Sequence, residues 1–168
     1  MTEPTILIAG VGNELKQDDA FGIEFVKAFR NKVKIPDHIK LMEVGIGGIH
    51  LVQELHYGYD ILIMVDAVDW GEKPGHLHFK EMESVADIDD MPVFEKRTFL
   101  ADMHYTNPIR ALMLAKALDV LPKKIYIFGC EAKEHEDFAI GMSDVVIDAI
   151  SKGIEKLANW LSIKQHEV

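Results

Sequence analysis

The sequence predicts an α/β domain in which a largely parallel sheet is covered by helices on both faces. Short apolar runs recur along the chain, most of them stop at a glycine or an acidic residue, and most stops are followed by a segment with helical apolar spacing. Strands and helices alternating in this way imply right-handed crossovers and a three-layer arrangement. The 168 residues fit one domain, read here as residues 1–168, because no repeat, low-complexity stretch or linker divides them.

The first strand is expected from Thr5 to Ala9, a continuous apolar run that enters the tight loop Gly10-Val11-Gly12-Asn13. Beyond Asp18 and Asp19, Phe21, Phe25, Val26 and Phe29 recur at helical spacing, with Glu24, Lys27 and Arg30 between them. Ile39 to Val44 alternates as a strand, Gly45-Ile46-Gly47-Gly48 interrupts it, and Leu51, Val52 and Leu55 resume a helical pattern. Ile61 to Val65 is the most apolar strand candidate and is expected to stop at Asp66. His76 to Lys80 reads as an edge strand after the turn Lys73-Pro74-Gly75, and residues 81–96 read as an acidic surface loop. Asn107 ahead of Pro108 has the form of a helix N-cap followed by proline in the first turn, with Ala111, Leu114 and Leu118 continuing the pattern. Lys124 to Gly129 forms the last strand, and Ser143 is placed to cap a final helix that aligns Val146, Ala149, Ile150, Ile154, Leu157 and Leu161.

Composition narrows the function classes. With 48% hydrophobic and 27% charged residues the chain is that of a folded globular protein. A net charge of -10 without any cluster of Lys and Arg argues against nucleic acid as a partner. The single cysteine, Cys130, allows no internal disulfide, and Met1-Thr2-Glu3-Pro4 does not open a secretory leader, so a cytoplasmic protein is expected. No apolar run approaches the roughly 20 residues of a membrane helix, and no membrane association is expected.

In an open α/β sheet, ligands gather at the carboxyl ends of the strands. That edge would receive Asp18 and Asp19 from the loop after the first strand, Asp66 from the end of the third, and His104 from the approach to the helix at Pro108. Two carboxylates and an imidazole suit a borderline divalent ion such as nickel or zinc and leave coordination positions open. Other readings compete. Asp18 and Asp19 could cap the helix they precede, and one of them is expected to do only that. Asp66 ends so apolar a run that it needs a hydrogen bond, a counter-charge or a metal. His104 is one of eight histidines, the others being His38, His50, His56, His76, His78, His135 and His166. The loop Gly10-Val11-Gly12-Asn13-Glu14-Leu15 could be a dinucleotide turn, but Leu15 stands where the third glycine belongs and the two acids would repel a pyrophosphate. Cys130 could be a nucleophile or simply core packing.

The run Gly10-Val11-Gly12-Asn13-Glu14-Leu15-Lys16-Gln17-Asp18-Asp19-Ala20-Phe21-Gly22 resembles the opening motif of the hydrogenase maturation endopeptidases. The resemblance continues through Val65-Asp66-Ala67, His104, Gly129 and Gly141-Met142-Ser143. It implies a single α/β domain of phosphorylase/hydrolase type with a twisted five-stranded sheet. It also implies that Asp19, Asp66 and His104 coordinate nickel and form the catalytic centre. The implied substrate is the precursor of a nickel-iron hydrogenase large subunit, cut near its C-terminus after metal insertion. The loop after the second strand, associated with substrate choice, departs from the family pattern: Glu43, Gly45 and Gly48 fall in it, and Ile46 replaces a threonine.

On this reading nickel arrives with the precursor, the resting enzyme is an apo monomer, and Asp19, Asp66 and His104 dock onto the metal so that it positions the scissile bond. The metal could act as a Lewis acid, or Asp66 or Asp19 could serve as general base. The alternative is a non-catalytic chaperone of the same fold that binds metal or precursor without hydrolysing it.

Overall fold

The computed structural model describes residues 2–45, 48–101, 108–134 and 138–163. Five strands, β1 (Ile6–Val11), β2 (Ile39–Gly45), β3 (Ile61–Val68), β4 (Leu77–Glu81) and β5 (Lys124–Glu131), form one sheet in the order β2-β1-β3-β5-β4. All neighbours are parallel except β4, which runs antiparallel to β5 at the edge. The helices are α1 (Phe21–Lys32), α2 (Gly48–Leu55), α3 (Val93–Ala101), α4 (Pro108–Ala117) and α5 (Asp144–Trp160). The expected three-layer α/β architecture and the five-stranded, mostly parallel sheet are both present.

The two faces of the sheet bury separate cores. Ile8, Ile63, Val65 and Phe128 point to the side covered by α1 and α5, where they meet Phe21, Phe25, Val146 and Leu157. Leu7, Ala9, Leu62 and Met64 point to the other side, against Leu51 and Leu55 of α2 and Leu112 of α4. Strands buried on both faces must be apolar at every position, which is why β1 and β3 read as continuous runs. Phe25 stacks on Phe29 and tilts against Phe128, so the helical spacing of the phenylalanines translates directly into packing on β5.

Glycine sets how closely α1 approaches the sheet. A methyl group at Gly22 would collide with the carbonyl oxygens of Val11 and Val65, and one at Gly10 would collide with the carbonyl of Gly22. The first turn of α1 therefore lies against the backbone of β1 and β3. These two strands flank the point where the chain reverses its direction of travel across the sheet, the usual place for a ligand crevice.

Three local expectations need correction. β3 does not stop at Asp66 but pairs with β5 through Val68, because ladder hydrogen bonds are indifferent to whether a side chain is charged. β5 likewise runs on to Glu131. Residues 81–96 are not all loop: a 3-10 turn spans Ile88–Asp90 and α3 starts at Val93. Val93 and Phe94 are exposed there, so the helix offers no apolar stripe for periodicity to detect. The proposed cap at Asn107 lies outside the described residues, whereas Pro108 does open α4.

Replacement of Gly22 by alanine is expected to lower stability by about 3 kcal/mol or more, the upper end for overpacking, because backbone rather than side chain must move. Urea unfolding of the variant and the wild type would measure it.

Candidate active site

The two acids of the first loop have different surroundings. Asp18 is completely buried, and its carboxylate accepts hydrogen bonds from the N–H groups of Lys133 (2.8 Å), Glu134 (2.8 Å) and Ser143 (2.7 Å) and from the Ser143 hydroxyl (2.8 Å). It does not cap a helix, and Ser143, although it stands at the N-cap of α5, bonds Asp18 instead of its own helix. Asp18 thus fastens the loop after β1 to the loop after β5. Two backbone bonds, from Asp18 N–H to the Glu134 carbonyl (2.9 Å) and from Gln17 N–H to the Ala139 carbonyl (3.0 Å), reinforce the join. Gln17 adopts a left-handed conformation (φ 51°) to turn the chain into it.

Asp19 points elsewhere. One carboxylate oxygen accepts the Asn13 N–H at 3.1 Å, and Gly12, at a positive φ of 151°, lets the Asp19 carbonyl come close to the loop. Asp19 lies near enough to Asp66 that their charges repel. Burial first, and the Asp19 charge second, push the Asp66 carboxyl well above its ordinary range, with a hydrogen bond from the Ala67 N–H acting against them. Two carboxylates, one from the turn after β1 and one from β3, therefore meet at the switch point, and their repulsion favours the protonated form of Asp66. Carboxylate oxygens are donors that suit a divalent ion. Among the described residues no group of three His, Cys, Asp or Glu side chains is arranged to hold a metal. The third expected ligand, His104, lies outside the described residues.

Of the residues expected in the loop after β2, Glu43 and Gly45 belong to the end of the strand, where Glu43 makes an outlying 3.7 Å pair with Arg30 and Gly45 has a positive φ of 62°, and Gly48 opens α2. Ile46 falls outside the described residues. Cys130 is core: burial, then the charges of Asp18 and Glu131, push its thiol up to about 12, which leaves no thiolate for nucleophilic attack. The glycines of the first loop serve helix packing and the Asp19 turn rather than a phosphate cradle.

One constellation escaped the sequence reading. Asp66 of β3, Gly129 of β5 and His78 of β4 occupy one row across the sheet. His78 contacts buried Glu131 at 2.9 Å, and both Glu131 oxygens accept the Trp70 N–H, at 3.1 and 3.2 Å. Burial would raise the Glu131 carboxyl, but the bonds from His78 and from the Trp70 and Glu72 N–H groups hold it below its ordinary value. Because an ionised carboxylate only accepts, His78 Nε2 carries the proton. The Trp70 ring packs edge-on against His78, with centroids 4.7 Å apart, and Lys80 Nζ sits 5.1 Å over it. A charged residue closing the β5 run was the available signal, the same kind that singled out Asp66. Beside this framework a cavity of about 300 Å³ opens between Met64, Asp66, Val68, Trp70, Ile109 and Ile127.

The two carboxyl shifts have opposite signs and predict opposite responses to pH. Asp18 is held below its ordinary value, because the donors aimed at it outweigh the effect of burial, so its contribution is complete above about pH 4 and disappears as pH falls through the depressed folded value. Asp18→Asn is expected to cost about 2–4 kcal/mol at pH 7 and progressively less in acid, since the amide turns a donor toward other donors. Asp66 is raised, so ionising it costs stability that the folded protein loses as pH climbs above about 4. Asp66→Asn is expected to be more stable than the wild type at pH 7 and to lose that advantage near pH 4. Thermal or urea unfolding of both variants across this range checks both signs.

Residues 23–160 match the family model described as hydrogenase maturation protease. The chain is 34% identical to the hydrogenase expression/formation protein HoxM of Azotobacter vinelandii over 87% of its length and 67% of that protein's. It is 31% identical to the putative hydrogenase maturation protease MJ0253 of Methanocaldococcus jannaschii over 92% of its length and 95% of that protein's. The fold matches the hydrogenase maturating endopeptidase HybD of E. coli, with a TM-score of 0.71 at 24% identity over 96% of each chain. It also matches the [NiFe] hydrogenase maturation protease HybD of Thermococcus kodakarensis, with a TM-score of 0.67 at 27% identity over 93% of this chain and 98% of that one. The chain belongs to the hydrogenase maturation protease family and is a peptidase by that membership.

Proposed function

We propose that this protein removes the C-terminal extension of a nickel-iron hydrogenase large-subunit precursor after nickel has been inserted, with the precursor's nickel as the recognition element. The observation that carries this reading is the meeting of Asp19 and Asp66 at the switch point of the sheet, where two carboxylates can offer oxygen ligands to a cation. Nickel is here part of the substrate. Asp19, Asp66 and His104 would hold it, and it would supply Lewis-acid polarisation of the scissile carbonyl or a fixed point from which that bond is positioned. The chain's own contribution is orientation: Asn13 N–H fixes one Asp19 oxygen, and the β3–β5 ladder fixes Asp66. An ionised Asp66 or Asp19 close to the bond would take the proton of the attacking water.

A macromolecular substrate is supported by the rim of the site. Leu15, Phe138 and Ile140 are exposed on the two loops that Asp18 joins, where a small-molecule enzyme has no use for large apolar side chains. Glu43 and Gly45 at the end of β2 and Gly48 at the start of α2 stand at the same edge of the sheet and, with Ile46, would contribute to the choice of hydrogenase. The enzyme is read as a cytoplasmic apo monomer at rest. Among the described residues no helix is long and apolar enough to cross a membrane.

Incubating the protein with nickel-loaded and nickel-free precursor and weighing the products tests the reading: only the loaded form should lose a C-terminal peptide. Binding of both forms with no cleavage of either would instead identify a maturation chaperone. Asp19→Ala, Asp66→Ala and His104→Ala are each expected to slow cleavage by about 100-fold or more, the range for losing a positioned acid or base.

A further inference from the structure

We propose that the cavity walled by Trp70 is a specificity subsite that takes an apolar side chain of the precursor immediately beside the bond to be cut. The inference rests on the proteolytic reading above and adds to it the chemistry of the residue recognised.

The cavity is open to one of the two acids, has exposed Asp69 as a second carboxylate in its lining, and is apolar on its remaining walls. Asp66 lines it together with Met64, Val68, Trp70, Ile109 and Ile127. Its volume of about 300 Å³ lies at the lower end of ligand pockets, which run from roughly 300 to 1,000 Å³, and suits a side chain better than a cofactor. An extended peptide advances only about 3.3 Å per residue. A bond lying against Asp66 therefore brings only its immediate neighbours to the cavity mouth. A larger cavity, about 350 Å³ between Phe79, Phe128, Leu157 and Trp160, sits on the opposite face of the sheet and offers no acid.

Trp70 is prepared for this use. It is 43% exposed, so its ring is a wall rather than core, yet its backbone is held by both oxygens of buried Glu131 and its ring by His78 and Lys80. A surface indole anchored from three directions loses little freedom when a side chain packs on it, which favours selective binding. Glu131 is 1% exposed and His78 7% exposed, so a buried hydrogen bond to a carboxylate is retained at the base of a surface loop. Holding the β3–β4 connection in one shape beside Asp66 gives that contact a purpose.

The test is kinetic and uses the whole enzyme with nickel-loaded precursor. Cleavage is followed by wild type and Trp70→Ala on the parent precursor and on precursors in which each residue flanking the cut is changed singly to alanine. Truncating one apolar flanking residue should lower kcat/KM for the wild type by about 10- to 200-fold. Trp70→Ala should lower it similarly on the parent, and the two changes together should cost no more than either alone. Ile109→Trp, which fills the cavity without removing its wall, should reverse the preference and cut the truncated precursor faster than the parent; it serves also if Trp70→Ala does not fold. Losses that multiply, or a wild type indifferent to every flanking truncation, would overturn the subsite while leaving the proteolytic function standing. A parent precursor left uncut by the wild type would overturn both.

Discussion

The contact on which the site depends is the seating of Gly22 against the backbone of β1 and β3. Only a residue without a side chain lets the first turn of α1 meet the carbonyls of Val11 and Val65, and Gly10 removes the matching obstacle from β1. With the helix so close, the short 3-10 turn before it, Gln17–Ala20, is drawn over the carboxyl ends of the two central strands. The apolar residues follow from this seating: Phe21, Phe25 and Phe29 fill the space between α1, α5 and the sheet. So does the chemistry, because the same turn presents Asp19 to Asp66.

Neighbouring residues of one turn are thereby given opposite electrostatic tasks. Asp18 meets four donors, stays ionised, and binds two loops together. Asp19 faces another carboxylate, and their repulsion, added to burial, raises Asp66 above its ordinary range. A single residue of register between them separates a group that stabilises the fold from one that the fold must restrain. The thiol of Cys130, close to Asp18 and raised by burial, takes no part beyond packing.

Much of this was legible in the residues. Strands buried on both faces and helices with one apolar side leave distinct periodicities, so the order of β1, α1, β2, α2, β3, β5 and α5 could be read from apolar spacing. Asp66 was visible because charge at the end of an apolar run is costly, and Asp19 because the loop after a first parallel strand falls at the ligand edge. The division of labour between Asp18 and Asp19 was not, since the donors that surround Asp18 come from residues 133, 134 and 143, distant in sequence. The Glu131 and His78 contact escaped for the same reason: it joins two strands whose antiparallel register no local pattern announces. α3 was missed because its exposed Val93 and Phe94 leave no amphipathic trace.

The reversed direction of β4 has a consequence for how such a protein can diverge. In a wholly parallel sheet the chain leaving β3 would have to cross a face before pairing again, and any change in that connection would disturb a core. Here the chain turns back at once, through residues 69–76, and β4 descends along β5 at the outer margin. The connection is a hairpin-like appendage held to the scaffold chiefly through Glu131, the Gly75 N–H included, at 2.8 Å from its carbonyl. Its length and residues can drift while β1, β3 and the two acids keep their register. An outer strand of opposite sense thus works as a mounting rail, on which the connection beside Asp66 can be exchanged while the central strands and their two acids stay in place.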